Sequence, residues 1–282
     1  MIPGGSNPAG PSLEFAEFRG LVYSAYGSEG RSFPWRENTD PWGIFVSEFM
    51  LQQTQTERVI RYWERWMEKW PSPAALCEAG LEEVLKEWSG LGYNRRAKNL
   101  RESAFVIIKD FDGIIPGVPE ILIKLPGIGA YSAGAIACFA YNYPALFIET
   151  NIRSAMLHFF FPGREGVTDR EMMPVLDASM DRKNPRKWYW ALMDYGAALK
   201  KSKTNPNRRS AHYRRQSMFS GSLRQVRGSL VRALVSGEKL TPEELRSRID
   251  VPAEEKDFYK ALEALKNESM VAEEDGKYRI SG

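Results

Sequence analysis

Apolar residues recur at intervals of three and four along most of the chain, the period of an amphipathic helix. The spacing predicts helices over residues 12–27, 42–54 and 59–70, and a pair within 81–111 around a turn at Gly90 and Gly92. A short helix over 119–125 leads into a turn at Gly127 and Gly129, and a helical run follows. Further helices are predicted over 151–161, 169–180 and 185–200. The ends carry the usual punctuation: Gly27 closes the first helix, Asp40 caps the next ahead of Pro41, and Pro71 with Pro73 breaks the third. The stretch FPWRENTDPW, 33–42, reads as a loop. No strong alternation of period two is visible in the first 215 residues, so this part is read as all-α.

Near Ser220 the composition changes. Residues 222–237 are amphipathic, 241–249 open on a Thr–Pro cap, and 253–268 give a third helix. Asp275–Gly276, between MVAEE and KYRIS, is a hairpin signal. Three helices and a hairpin over 222–282 resemble a small winged-helix domain of α+β type. Helix 253–268 has five acids against three lysines, a poor face for phosphate, so a packing or protein-contact role is expected.

Composition narrows the class. The 282 residues support one large or two modest domains with an appendage, and 43% apolar content suffices for a core. No apolar run reaches the length of a membrane span. The first residues lack the apolar centre of a signal peptide, so 1–11 read as a flexible tail and the cytoplasm as the default compartment. Two cysteines, Cys77 and Cys138, do not make a disulfide framework and read as small packing groups. The net charge is only +3, but residues 200–215 hold seven Lys or Arg, one His and no acid, a run suited to phosphate.

The stretch with most chemical content is 125–153, LPGIGAYSAGAIACFAYNYPALFIETNIR. A Gly-x-Gly turn opening a helix presents unpaired backbone N–H groups, which suit an anion. About ten residues past that helix stand a single carboxylate, Glu149, and Asn151. A second carboxylate, Glu48, lies mid-helix among Phe45, Val46, Phe49, Met50 and Leu51, where pattern alone reads it as a surface charge.

These features resemble the helix-hairpin-helix DNA glycosylase superfamily, from about Phe15 to Lys203. The resemblance implies that the hairpin, with Gly127 and Gly129, grips one DNA phosphate, and that the acidic residue lies beside the sugar of the base being removed. SEFMLQQT around Glu48 is similar to the motif of the MutY adenine glycosylases, whereas endonuclease III proteins lack this Glu. In that family it protonates the purine at N7, a role helped by a carboxyl held in partly apolar surroundings. The same resemblance places Arg36 at the base pocket, Gln52 and Gln53 where the duplex is probed, and Tyr93 as a wedge in the base stack. An ion-pair role is the other reading of Arg36. Arg208 and Arg209, in the basic run, are expected to bind DNA. Where bifunctional relatives carry a Schiff-base lysine, this chain has Tyr131, and Lys124 is out of register, so base excision without an efficient lyase step is expected.

Three departures from the MutY pattern stand out. The family Asp is Glu149 here, with Asn151 expected to hold its loop. The four-cysteine iron–sulfur loop is absent, and lysine stands where its first cysteine belongs, so no cofactor is expected. The family's C-terminal reader of 8-oxoguanine is replaced by the winged-helix-like segment. The expected architecture is an all-α, two-domain helix-hairpin-helix glycosylase, with one domain from residues 12–30 and 135–215, a helical barrel over 31–134 and the small domain at 222–282. The expected function is monofunctional excision of a mispaired base, adenine opposite G or 8-oxoguanine, by Glu48 and Glu149. Alternatives are removal of uracil, thymine or another deaminated base from mismatches, and a non-catalytic lesion- or DNA-binding protein. The expected partner is damaged or mispaired double-stranded DNA, bound by a monomer in the cytoplasm, on the nucleoid if the source is prokaryotic. The C-terminal domain leaves room for a protein partner.

Overall fold

The structure, a computed structural model, describes residues 14–201, 205–214 and 221–282; the expected tail at 1–11 lies outside them. In chain order the helices are α1 (Phe15–Glu29), α2 (Pro34–Glu37), α3 (Pro41–Leu51), α4 (Thr56–Lys69) and α5 (Pro73–Glu78). There follow α6 (Leu81–Trp88), α7 (Arg95–Phe111), α8 (Pro119–Leu122), α9 (Ala130–Tyr141) and α10 (Thr150–Phe159). Then come α11 (Asp169–Ser179), α12 (Pro185–Lys201), a 3-10 turn at Pro206–Arg209, and α13 (Leu223–Leu234), α14 (Pro242–Arg248) and α15 (Glu255–Asn267). Two strands, β1 (Val271–Glu274) and β2 (Lys277–Ile280), close the chain. The all-α reading of the first 215 residues and the C-terminal hairpin are both observed among the described residues.

Three local expectations are corrected. Helix α1 runs through Gly27 to Glu29, and the Gly30 N–H closes it on the Tyr26 carbonyl. The stretch read as a loop at 33–42 contains α2, because Pro34 at the first helical position is preset for the turn. Pro73 likewise begins α5 as well as ending what precedes it, with the Ser72 hydroxyl accepting from the Ala75 N–H at 3.2 Å.

The chain forms two compact units. The first comprises Met1–Pro41, Gly117–Ile123 and Ile128–Arg215. Its core lies where α12 packs on α10 and α1. Phe18 meets Trp188 edge-on at 5.4 Å, and Phe147 stacks on Tyr189 at 4.0 Å. Phe147 lies two residues before Glu149, so this stack anchors the carboxylate loop. A Cβ on Gly134 would come within 3.0 Å of the Phe147 ring, a close approach that only glycine on α9 permits without displacement.

The second unit comprises Trp42–Pro116, Lys124–Gly127 and Gln216–Gly282. Helix α3 is buried at every position from Trp42 to Met50. Indole N–H groups tie it down: Trp42 donates to the Trp70 carbonyl at 2.9 Å, and Trp63 to the Gly43 carbonyl at 2.7 Å. Helices α5 and α6 pack on α7. In the C-terminal part, α13 packs on α14, α15 and β2. The strands pair antiparallel from Val271↔Ile280 to Glu274↔Lys277, and Asp275 and Gly276 both take positive φ, as the sharp two-residue turn requires. No helix among the described residues is long and apolar enough to cross a membrane.

Candidate functional site

In the first unit the site is built on the start of α10. Glu149 is its N-cap, and one carboxylate oxygen accepts from the Asn151 N–H at 2.7 Å and the Ile152 N–H at 2.9 Å. The other oxygen accepts from the Asn151 side-chain amide at 3.2 Å. The amide oxygen of Asn151 in turn accepts from Lys200 Nζ at 3.0 Å. Burial raises the Glu149 pKa above the ordinary glutamate value; the two backbone N–H groups, Lys200 and Arg153 all oppose that rise. Tyr131 lies on the first turn of α9, its ring edge-on to Phe147 at 5.7 Å. Tyr131, Glu149 and Asn151 thus share one locality, and the hydrogen bond expected of Asn151 is present.

Arg36 belongs to the same unit. It donates to Asp194 of α12 at 2.9 and 3.0 Å and to the Arg31 carbonyl at 3.0 Å, and lies over Trp190 at 5.5 Å. Burial works against ionisation of Asp194, yet hydrogen bonds and charge from Arg36 and Arg31 hold its pKa below the usual aspartate value. This is the ion-pair reading of Arg36. Arg208 and Arg209 have different environments. Arg208 is exposed, whereas Arg209 donates to the carbonyls of Leu157 at 2.7 Å and Arg164 at 3.3 Å and to that of Phe161, so it caps the end of α10.

In the second unit Glu48 is only 4% exposed within α3, which corrects the surface-charge reading from pattern alone. Gln52 and Gln53 follow the end of the helix. Gln52 Nε2 donates to the Gly127 carbonyl at 3.5 Å, which links the end of α3 to the hairpin turn. Gln53 has φ 58° and Tyr93 φ 50°, in the left-handed region that residues other than glycine rarely enter. Tyr93 is 37% exposed. Gly127 has φ 77°, and a Cβ there would lie 2.6 Å from Asn99 Nδ2. Gly129 differs: its φ is −98°, and nothing lies within 4 Å of an added Cβ. Of the two glycines, Gly127 alone takes a positive φ; Gly129 is an extended N-cap of α9.

Several residues that the sequence pattern did not single out organise these sites. Arg96 is 7% exposed and donates to the carbonyls of Phe49 and Met50, each at 2.8 Å, and to Thr54 Oγ1 at 3.0 Å. It also reaches the carbonyls of Leu91 at 3.2 Å and Gly92 at 3.0 Å and lies over the Tyr93 ring at 5.6 Å. One guanidinium thus joins the end of the Glu48 helix to the turn carrying Tyr93. Burial lowers its pKa to about 10. The signal was periodicity: Arg96 lies on the stripe of Leu100, Ser103, Ala104 and Ile107, a charge in a buried row. Gly196 and Lys200 lie one turn apart on α12, and a Cβ on Gly196 would come within 1.9 Å of the Asn151 carbonyl oxygen. Arg224 of α13 donates to the Tyr93 hydroxyl and lies over its ring at 5.6 Å. Among the described residues no group of three or more His, Cys, Asp or Glu could hold a metal ion, and Cys77 and Cys138 are not joined in a disulfide.

Residues 46–189 match the HhH-GPD superfamily of base excision DNA repair proteins. An adenine DNA glycosylase of Mycobacterium tuberculosis is 36% identical over 279 residues, covering 91% of this chain and 91% of the relative. That of Mycolicibacterium smegmatis is 36% identical over 286 residues, covering 93% and 95%. The Homo sapiens adenine DNA glycosylase is 33% identical over 198 residues, covering 66% of this chain and 36% of the relative. Among solved structures, a thermostable thymine-DNA glycosylase superposes with a TM-score of 0.63 at 24% identity, covering 68% of this chain and 90% of its own. An endonuclease III in non-covalent complex with DNA gives 0.56 at 18% identity, with the same coverage of 68% and 90%. At such identities the solved structures establish the fold.

Proposed function

Because the chain belongs to the HhH-GPD superfamily of base excision DNA repair proteins, we propose that it is a monofunctional DNA glycosylase acting on adenine mispaired with G or 8-oxoguanine. The observation that carries this reading is Glu48, a carboxyl 4% exposed in the middle of a buried apolar helix. A carboxyl held away from water at this position can act as a proton donor. Glu48 gives its proton to the adenine ring, and the sugar–base bond breaks with its electron pair leaving on the neutral base. Positive charge then develops on the sugar, which the ionised Glu149 stabilises. Water adds to the sugar carbon and loses a proton, leaving an abasic site. Tyr131 offers no amine for an imine with that sugar.

The residues do not fit the iron–sulfur cluster of the family pattern. Two cysteines in the whole sequence fall short of four thiolates, and lysine occupies the place of the first. No step is routed through such a group. The working unit is a monomer bound to duplex DNA in the cytoplasm, on the nucleoid in a prokaryote. The C-terminal segment serves as a winged-helix-like packing or protein-contact module.

Removal of uracil or thymine opposite guanine is the second reading; Tyr131 is compatible with it, whereas the LQQTQ context favours adenine. A cleavage panel on duplexes with A, U, T or hypoxanthine opposite G, 8-oxoguanine, T or C decides between them. Excision of adenine opposite 8-oxoguanine or G, revealed only after alkali, is the expected result. Strand cleavage without alkali, or strong covalent trapping by borohydride, would sink the monofunctional assignment; preference for U or T would sink adenine.

A further inference from the structure

We propose that Lys200 is a positioning residue for Glu149, setting the orientation of the Asn151 amide and through it the orientation of the carboxylate. The inference rests on the reading of Glu149 as the sugar-facing carboxylate. An asparagine amide has one oxygen and one NH2 group, and which points where is a matter of partners. A lysine ammonium only donates, so at 3.0 Å from the amide it fixes the oxygen of Asn151 on the Lys200 side. The NH2 is thereby turned to Glu149, where it donates at 3.2 Å to the oxygen that the backbone amides leave open. Were the amide reversed, its oxygen would face a carboxylate oxygen and repel it.

The same helix face prepares the approach. Gly196, one turn before Lys200, has no Cβ to block the Asn151 carbonyl, so α12 lies directly against the backbone of this loop. The charged groups acting on Glu149 are Lys200 from α12 and Arg153 from its own helix. Arg153 is already committed to Asp169 through bonds of 2.7 and 2.8 Å, whereas Lys200 is bonded to the asparagine that touches Glu149. In the MutY pattern this place belongs to the first cysteine of the cluster loop. The lysine thus supplies from one side chain an orientation and a positive charge at the carboxylate loop.

The test compares Lys200→Met, Lys200→Arg and Glu149→Gln in the full chain. Single-turnover excision from an adenine mispair duplex is measured across pH, together with the thermal midpoint. Lys200→Met is expected to slow excision by about 10- to 100-fold, as a misplacement of about 1 Å does. Its acid limb should move up by about one pH unit, because a nearby cation no longer favours the ionised carboxylate. Lys200→Arg keeps donors and charge and should recover most of the rate and the original limb. An unshifted acid limb in Lys200→Met would overturn the proposal, as would a loss that Lys200→Arg shares in full. If Lys200→Met lowers the thermal midpoint, Lys200→Gln supplies the same pH comparison with a polar side chain. An active Glu149→Gln would remove the premise itself, a failure distinct from an unshifted limb in a chain whose Glu149→Gln is dead.

Discussion

Glu149 is both a helix cap and the carboxylate proposed to meet a cationic sugar. Those two roles make different demands. The cap needs an acceptor oxygen for the N–H groups of Asn151 and Ile152; the chemistry needs a negative charge. Glu149→Gln keeps an acceptor and removes the charge, so excision should fall by more than about 100-fold while DNA affinity stays near wild type. Glu48→Gln should do the same by removing the proton donor. Wild-type excision by either variant would remove that residue from the mechanism. Glu149→Asp shortens the side chain by about 1.5 Å. Since the present carboxylate already satisfies both backbone amides from its own distance, the aspartate variant is expected to be slower; a faster one would mark Glu149 as drift from the family acid. The pH dependence follows from the raised pKa. Activity requires the ionised form, which is lost as pH falls through that pKa, so the acid limb should lie above the ordinary glutamate value of 4.5. An acid limb at or below that value would separate Glu149 from the rate. Arg208 and Arg209 also part company here. Arg208→Glu should weaken binding to all duplexes and flatten the salt slope by about 0.9 for each phosphate no longer neutralised. Arg209→Glu should instead lower the thermal midpoint, because carbonyls at the end of α10 lose their donor. Equal salt slopes for the two variants would contradict this separation.

Helix α12 and the hairpin turn are the two elements that hold these residues in place. Helix α12 presents Asp194 to Arg36, Gly196 to the backbone of Asn151 and Lys200 to its side chain, all within two turns. The turn before α9 depends on one glycine. At Gly127 φ is positive and Asn99 closes the space, so Gly127→Ala incurs both backbone strain of roughly 1–2 kcal/mol and a collision. DNA affinity should fall. Gly129→Ala, at an ordinary φ with open space, should bind DNA nearly as well as wild type. The reverse order, measured by fluorescence anisotropy on one duplex, would show the phosphate anchor to be misassigned. The helices themselves were legible because periodicity and capping residues are local signals. The GxG turn was legible as a turn, but not that Gly127 alone carries the strain, since that depends on Asn99, nearly thirty positions earlier. Arg209 looked like a DNA-binding residue because a run of basic residues carries no record of distant carbonyls. Glu48 was placed in the site by motif resemblance; its neighbours in sequence alone suggested a surface charge. The buried row containing Arg96 was visible in the pattern, but its partners, from Phe49 to Gly92, were not.

At the scale of the whole molecule, the C-terminal segment raises a question that its acidic α15 does not answer. Its first helix, α13, directs Arg224 onto the Tyr93 hydroxyl and ring, the side chain proposed to enter the base stack. Tyr93 therefore has two guanidinium groups near it, Arg96 and Arg224, each at 5.6 Å from the ring. Arg96 is buried and fixed by carbonyls, so it is part of the scaffold. Arg224 brings the C-terminal segment onto Tyr93. A cation over an aromatic face contributes about 0.5–1 kcal/mol at an exposed site, which is a factor of roughly two to five in affinity. Arg224→Ala should thus weaken binding to mispaired duplex by that modest factor, and removal of residues 222–282 should weaken it at least as much. Excision at saturating enzyme should remain measurable in both, because Glu48, Glu149, Asn151 and Tyr131 all precede the cut. Fluorescence of 2-aminopurine beside the mispair reports the wedge separately from catalysis, and its rise on binding should be smaller in both variants. An unchanged fluorescence rise in Arg224→Ala would make the Arg224–Tyr93 pairing incidental. Complete loss of excision by a truncated chain that retains its helical signal and melting transition would instead make the segment part of the catalytic machinery and overturn its assignment as a packing or protein-contact module.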